Sequence, residues 1–339
     1  MTSTYPERVL VTGGAGFIGS NFVHHLLHAR AGAPAPCCPD QARYDAPRDA
    51  PGLKVLTVDK LTYAGDLAHL DGVSRHPGHK FERADVCDAS AMDRVFRAFR
   101  PDAVVHFAAE THVDRSIEAG DVFVRTNVLG TQTLLDAARR HDVRRFVHVG
   151  TDEVYGSARE GSFREGDPLN PSSPYSASKA GSDLLALAHR HTYGLPVLVT
   201  RCTNNYGPRQ NPEKLLPKTI TLARRGEPIP VYGTGMNVRD WLYVKDHCGA
   251  LDLLLTRGEP GEVYNVGADD ERPNLDVVRE ILRRLGKPES LVAFVKDRPG
   301  HDWRYSLDSS KLRALGWAPR TPFADGLSAT IRWFEARGR

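Results

Sequence analysis

Three features of the chain predict an α/β fold: a doubly wound parallel sheet with a smaller C-terminal substrate-binding domain. A short apolar run, Arg8 to Thr12, leads straight into a glycine turn and then a helical pattern. Apolar runs and amphipathic stretches then alternate as far as Tyr193, an order that builds parallel β-α-β units. The runs also end on reactive groups. Asp59, Asp85, Ala108-Ala109-Glu110 and Thr151-Asp152-Glu153 all fall at expected carboxyl ends of strands, where such sheets bind their ligands.

In the first turn, Gly13-Gly14-Ala15-Gly16-Phe17-Ile18-Gly19 precedes a helical pattern over Asn21 to Ala29. Gly14, Gly16 and Gly19 match the dinucleotide fingerprint, while Gly13, Gly16 and Gly19 match the spacing common in short-chain dehydrogenases. Backbone without Cβ atoms approaches a pyrophosphate closely, and the following helix N-terminus offers unpaired N–H groups to the anion. Leu53 to Val58 is the second strand, closed by Asp59. A carboxylate there accepts hydrogen bonds from the adenosine ribose and repels a 2′-phosphate, which favours NAD over NADP. Asp59 lies further along than the usual offset because Ala31 to Gly52, rich in Ala and Pro, reads as an inserted surface loop. Lys80 to Ala84 follows as a third strand ending at Asp85, and Ala103 to Ala108 as a fourth. A long amphipathic helix is expected over Asp121 to His141, a fifth strand over Arg145 to Gly150, and another helix over Tyr175 to Tyr193.

Composition bounds the function. At 339 residues and 40% hydrophobic content, the chain has material for one large domain and a smaller one. A formal charge of +3 gives no reason to expect a nucleic-acid or membrane-surface protein, and a small anionic ligand suits it better. No apolar run approaches the roughly 18 residues of a spanning helix. The opening Met1 to Glu7 lacks a signal peptide's basic and apolar regions, so a cytoplasmic protein is expected. Cys37, Cys38, Cys87, Cys202 and Cys248 are odd in number and lack Cys-x-x-Cys spacing, which argues against a disulfide framework and a structural zinc.

The chemistry concentrates in two places. Tyr175 and Lys179 stand four apart at the start of a helix, after Asn170-Pro171-Ser172-Ser173-Pro174 and just beyond the fifth strand. On one helix face, the ammonium is expected to favour the phenolate and make Tyr175 a base near neutral pH, as oxidation of a sugar alcohol requires. Upstream, Asp152 and Glu153 are surplus to simple oxidation. Elimination of water needs both: an acid for the departing hydroxyl and a base for a carbon-bound proton. The chain therefore reads as a redox enzyme that also dehydrates.

Several phrases make the likeness specific. They are Val11 to Ser20, Asp59-Lys60-Leu61-Thr62-Tyr63-Ala64-Gly65, His106 to Ser116, Thr151 to Gly156, Arg201-Cys202-Thr203-Asn204-Asn205-Tyr206-Gly207-Pro208, and Asp297-Arg298-Pro299-Gly300-His301-Asp302. With them the chain resembles the dTDP-glucose 4,6-dehydratases of the extended short-chain dehydrogenase/reductase family, over nearly its full length apart from the inserted loop. The resemblance implies a Rossmann-like NAD-binding domain over residues 1–200 and a mainly nucleotide-sugar-binding domain over 201–339, with segments around 240–265 returning to the first. It implies an NAD site formed by Gly13, Gly16, Phe17, Ile18, Gly19, Asp59, Lys60, Leu61, Thr62, Asp85, Val86, Phe107, Ala108, Ala109, Glu110, Thr111 and Thr126, with Tyr175 and Lys179 at the nicotinamide end. The sugar nucleotide would meet Thr111, Thr151, Asp152, Glu153, Asn204, Asn205, Lys214, Leu215, Pro230, Val231, Tyr232, Arg239, Asn274, Asp297, Arg298 and His301. Lys214, Arg239, Asn274 and Arg298 are suitable donor types for a diphosphate, and Tyr232 is placed to stack on the base.

By the same resemblance Tyr175 takes the proton of the sugar's 4-hydroxyl during oxidation at C4, with Thr151 on the same oxygen. Glu153 is then the base at C5 and Asp152 the acid at the C6 hydroxyl, and the hydride returns to C6 to give a 4-keto-6-deoxy sugar. Such an NAD is regenerated in place and behaves as a prosthetic group. An epimerase or decarboxylase of nucleotide sugars shares the Tyr, the Lys and the glycine turn but needs no Asp-Glu pair; a non-catalytic NAD-binding sensor needs only binding residues. Gly150 stands where a Ser commonly precedes the triplet, and Thr111 replaces a Ser, so a tuned activity is expected. A homodimer is implied too, pairing the helices Asp121 to His141 and Tyr175 to Tyr193 of two subunits. Val124, Val128, Leu135 and Ala138 give an apolar stripe for that pairing to bury, although the sheet alone could bury it.

Overall fold

The computed structural model describes residues 5–28 and 52–338. The inserted loop and the Cys37-Cys38 pair therefore fall outside the described residues, apart from Gly52 at the loop's end. β1 (Arg8–Thr12) feeds the glycine turn and α1 (Phe17–His28), and the chain returns through β2 (Lys54–Asp59) and β3 (His79–Arg83). α2 (Ala89–Phe99) then leads to β4 (Ala103–His106). α2 is not among the expected elements, yet its signal is present in Asp88, whose carboxylate caps the helix by accepting from the N–H groups of Ser90 and Ala91.

The expected helix over Asp121 to His141 is more broken than its periodicity suggests. It is preceded by α3 (Val113–Glu118) and comprises α4 (Gly120–Phe123), a π-helical segment Val124–Leu129, and α5 (Gly130–Arg140). A π turn shifts the helical phase, so residues on either side no longer share one face. The stripe Val124, Val128, Leu135, Ala138 is corrected accordingly: Leu135 and Ala138 are fully buried against the sheet of their own chain, while Val124 is exposed. The outward apolar side chains are instead Ile117, Val122, Val124, Leu129, Leu184 and Tyr193.

β5 (Arg145–Thr151) runs one residue further than expected and carries Thr151 itself. α6 (Pro174–Tyr193) starts with a Ser173 capping box and Pro174 in the first turn, which places Tyr175 at the rim of the sheet. Beyond it come β6 (Val197–Cys202), β7 (Asn204–Tyr206), α7 (Leu215–Arg225), β8 (Ile229–Tyr232), β9 (Val238–Tyr243), α8 (Val244–Arg257) and β10 (Val263–Val266). The chain closes with β11 (Glu271–Pro273), α9 (Asn274–Arg284), β12 (Val292–Val295), α10 (Ser310–Ala314) and α11 (Phe323–Ala336).

Seven of these strands form one parallel sheet in the order β10-β6-β5-β4-β1-β2-β3. Side chains alternate across it. Val9 and Val11 join Phe22, Leu26 and Leu251 on one face, while Leu10 joins Val104, Phe146 and Leu134 on the other. Both faces are apolar and covered, which leaves the carboxyl rim as the place where such sheets bind. A separate core of Tyr206, Ile220, Trp241, Ile281, Phe323 and Phe334 supports the later segments, whose strands form a three-stranded sheet β11-β9-β7 and a pair β12-β8.

Candidate active site

Two cavities open at the carboxyl rim of the large sheet and meet at Glu153, Asn204, Asn205, Gln210 and Lys214. The first begins at the glycine turn. Gly13 has φ +66°, and a Cβ there would lie 2.6 Å from the Ala108 nitrogen, so only glycine lets the turn nest against the end of β4. Gly16, Phe17, Ile18 and Gly19 line the cavity beside it, with Asp59, Lys60 and Thr62 from the end of β2. The Asp59 carboxylate accepts from Ala15 N at 3.0 Å and Leu61 N at 2.8 Å, one bond per oxygen, so each oxygen keeps a lone pair for a further donor. Asp85 accepts from Cys87 N and pairs with Lys60 at 2.6 Å. Val86, Phe107, Ala108, Ala109, Glu110, Thr111 and Thr126 complete this wall. Leu61, with a positive φ of 60°, is not among the lining residues; its side chain packs, partly buried, against the hydrophobic core.

The cavity narrows to the reactive groups. Thr151, Asp152, Glu153, Tyr175 and Lys179 all line it, brought together by the end of β5 and the first turn of α6. Thr151 donates to Asp152 Oδ1 at 3.3 Å and hydrogen-bonds the Tyr175 phenol. Among the described residues, Asp152 Oδ2 is buried without a hydrogen-bond partner. Burial, then the neighbouring Glu153 charge, pushes the Asp152 carboxyl well above the usual carboxylate range. Burial also raises Glu153, against the pull of Lys214 and Arg239. The two adjacent carboxyls are thus disposed to hold one proton between them, with the deeper Asp152 its more natural owner.

The Tyr175-Lys179 pair departs from expectation. Lys179 donates to the Val149 carbonyl at 2.8 Å, and burial lowers its own pKa. Burial and the Glu153 charge raise the Tyr175 phenol well above its ordinary value, so a shared helix face does not by itself give a phenolate. The physical reason is desolvation: at this depth it outweighs an ammonium that is already committed to a carbonyl.

The second cavity gathers scattered segments. Lys214 and Leu215 enter from the start of α7, Pro230, Val231 and Tyr232 from β8, Arg239 from β9, Asn274 from α9, and Arg298 and His301 from the loop before α10. Asn204 Oδ1 and Asn274 Oδ1 are buried without partners, as expected of groups that await a ligand. Arg298 lies 4.7 Å over the Tyr232 ring. Asp297 does not line the cavity; its carboxylate instead holds His301 Nδ1 at 2.7 Å and so orients that ring. Residues outside the expected set also matter. Tyr305 and Asp302 line the sugar cavity, joined by a 2.8 Å bond. Asn127 binds both the N–H and the carbonyl of Glu110 and the Ser178 hydroxyl, tying the β4 loop to α6. An Asn in mid-helix was the only sequence signal for it.

The glycine turn, the two-sided Asp59 and the open β2 and β4 rims fit a dinucleotide, and the orphaned amides fit a polar co-ligand. Residues 50–330 match the family model described as GDP-mannose 4,6 dehydratase. A dTDP-glucose 4,6-dehydratase from an Actinoplanes strain is 51% identical over 97% of this chain and 98% of its own. The chain belongs to the dTDP-glucose 4,6-dehydratase family. Among solved structures, the family member DesIV from Streptomyces venezuelae, determined with NAD bound, superposes with a TM-score of 0.89 at 50% identity, covering 98% of each chain. A UDP-glucose 4-epimerase from Thermus thermophilus, in complex with NAD, shares the fold at a TM-score of 0.84 and 34% identity, over 97% of this chain and 99% of its own. The dehydratase family's redox and elimination chemistry therefore rests on a scaffold that epimerases also use.

Proposed function

We propose that this chain converts dTDP-glucose to dTDP-4-keto-6-deoxyglucose with a retained NAD, and that its site residues carry the steps as follows. The observation that carries the reading is Asp152, a buried carboxyl with an unpartnered oxygen and a raised pKa, immediately beside Glu153 at the junction of the two cavities. An epimerase has no use for that pair. Tyr175 accepts the proton of the 4-hydroxyl, assisted by the Thr151 hydroxyl that already bonds the phenol. When bound against the glycine turn, Asp59 and Lys179, NAD supplies the redox partner for C4 and C6 and brings the positive charge that the Tyr175 phenol needs to ionise. The C4 carbonyl acidifies the neighbouring carbon, and Glu153 removes the C5 proton. Asp152 donates its proton to the C6 hydroxyl as the C–O bond breaks, so water leaves and a C5–C6 double bond forms; Glu153 would then return its proton to C5 as the hydride taken from C4 is given back at C6, leaving the 4-keto-6-deoxy product. Lys214, Arg239 and Arg298 hold the diphosphate, with the Asn274 amide N–H as a further donor.

Among the described residues no helix is long and apolar enough to cross a membrane. A cytoplasmic homodimer completes the proposal, supported by the outward apolar side chains Val122, Val124, Leu129, Leu184 and Tyr193 on the helices flanking the sheet. The activity is tested by incubation with dTDP-glucose alone, followed by the alkaline ultraviolet absorbance of a 4-keto sugar, beside UDP-glucose and GDP-mannose. Turnover of dTDP-glucose without added NAD is expected. Accumulation of reduced cofactor without keto sugar, or reaction only with UDP-glucose, overturns the reading. Sedimentation at micromolar concentration checks the dimer, and a clean monomer refutes it.

A further inference from the structure

The cofactor cavity has two facing walls, the loop Lys60 to Gly65 after β2 and the loop Phe107 to Thr111 after β4. Tyr63 ties them together from outside the lining, its hydroxyl accepting from Thr111 N at 3.4 Å and bonding the Glu110 carboxyl. One side chain grips Tyr63 in turn. The Arg115 guanidinium, from α3, lies 4.0 Å over the Tyr63 ring. The same guanidinium donates to Glu213 Oε1 at 2.6 Å, and Glu213 immediately precedes Lys214 at the junction of the cavities. Glu213 Oε2 also faces His112 Nε2 at 3.4 Å, and Lys214 Nζ donates to the Thr111 carbonyl at 2.9 Å. Arg115 thus joins both walls of the cofactor cavity to the segment that bears the sugar cavity's cation.

We propose that Arg115 is a positioning residue, a clasp that closes the cofactor cavity through Tyr63 and anchors that closure on Glu213, slowing the escape of NAD between turnovers. The inference rests on the reading of an enzyme that keeps its NAD. Arg suits the position because a planar guanidinium stacks on a ring and pairs with a carboxylate at once, which an ammonium does not. Neither contact alone is strong at an exposed site, and together they correspond to about a tenfold change in release rate.

The test uses holoenzyme loaded with radiolabelled NAD and chased with excess unlabelled NAD. Release from Arg115→Ala and from Tyr63→Ala should each be about tenfold faster than from wild type, and the double variant no faster than either single one. Arg115→Lys, which keeps the charge for Glu213 but not the stacking, should fall between. Added salt should speed release from wild type more than from Arg115→Ala, because the ion pair is screened. Wild-type release rates in Arg115→Ala, or a double variant whose acceleration is the product of the two singles, overturn the clasp while leaving the dehydratase reading intact. A wild-type protein that carries no NAD sinks the dehydratase reading first and the clasp with it.

Discussion

The two cavities are built in opposite ways. The cofactor side is made of consecutive strand ends of one buried sheet, and its acids are settled: Asp59 accepts two backbone N–H groups, and Asp85 one more plus Lys60. The sugar side is assembled from side chains of several separate segments, and among the described residues it leaves Asn274 Oδ1 buried without a partner, with Asn204 Oδ1 and Gln210 Oε1 likewise at the junction. A group with its bonds already made gains little from a ligand, whereas an unsatisfied buried amide gains the whole bond. The difference teaches that the cofactor side is preformed by the strand ends, whereas the sugar side keeps polar groups open for a ligand. Glu153 and Asp152 sit where the two constructions meet.

Variants at the meeting point should have the largest effects. Tyr175→Phe removes the proton acceptor for the 4-hydroxyl, and kcat should fall by about 10³–10⁴ with no exchange of the C5 proton. Exchange at a measurable rate would place the first proton transfer elsewhere. Asp152→Asn and Glu153→Gln should each lower kcat by about 10²–10³. They should differ by deuterium uptake at C5, which persists in the Asp152 variant and is lost in the Glu153 variant. The same uptake in both would mean that the two carboxyls share one role.

The sugar side is tested next. Lys214→Met should raise KM for dTDP-glucose about tenfold while NAD stays bound, since charge-assisted bonds contribute about 1.5–3 kcal/mol. Loss of NAD from that variant would collapse the distinction between the cavities. The pH profile gives a second reading. Glu153 must be ionised and Asp152 protonated, so kcat should be bell-shaped; Lys214 holds Glu153 down, and its removal should move the acid limb to higher pH.

Smaller effects concern stability. The Asp152 carboxyl is raised in the fold, so the folded state binds the proton more tightly than the unfolded chain. Stability is lost as pH rises from the ordinary carboxylate range through the raised value. Asp152→Asn should therefore raise Tm at pH 8 by about 2–4 °C, with a flatter dependence of Tm on pH. Gly150→Ser should lower Tm by a similar amount. A Cβ there would lie 2.6 Å from the Thr200 carbonyl and 2.9 Å from Asp183 Oδ1, and overpacking of this kind costs about 1–3 kcal/mol. An unchanged Tm would show that the strand yields at little cost.

Local pattern was enough for the first five strands, the glycine turn and the acids at the strand ends, because each depends on residues close together in the chain, whereas the strands from β6 onward went unread. Arg8–Thr12 matched its expected span, and the reactive triplet was legible as residue types at the end of an apolar run. The sequence by itself also determined which groups are available: a phenol, two adjacent carboxyls, a lysine four residues on. Only the tertiary structure decided what state they are in. Lys179 sits four residues from Tyr175 as the helix period requires, but its ammonium is held by the Val149 carbonyl, contributed by a strand, and burial lowers its pKa. The π turn that splits the apolar stripe has no periodic signature either, and Leu61 and Asp297 turned to neighbours that spacing does not reveal. Periodicity records which side of an element a residue occupies. Desolvation and charge depend on what the rest of the chain brings against that side.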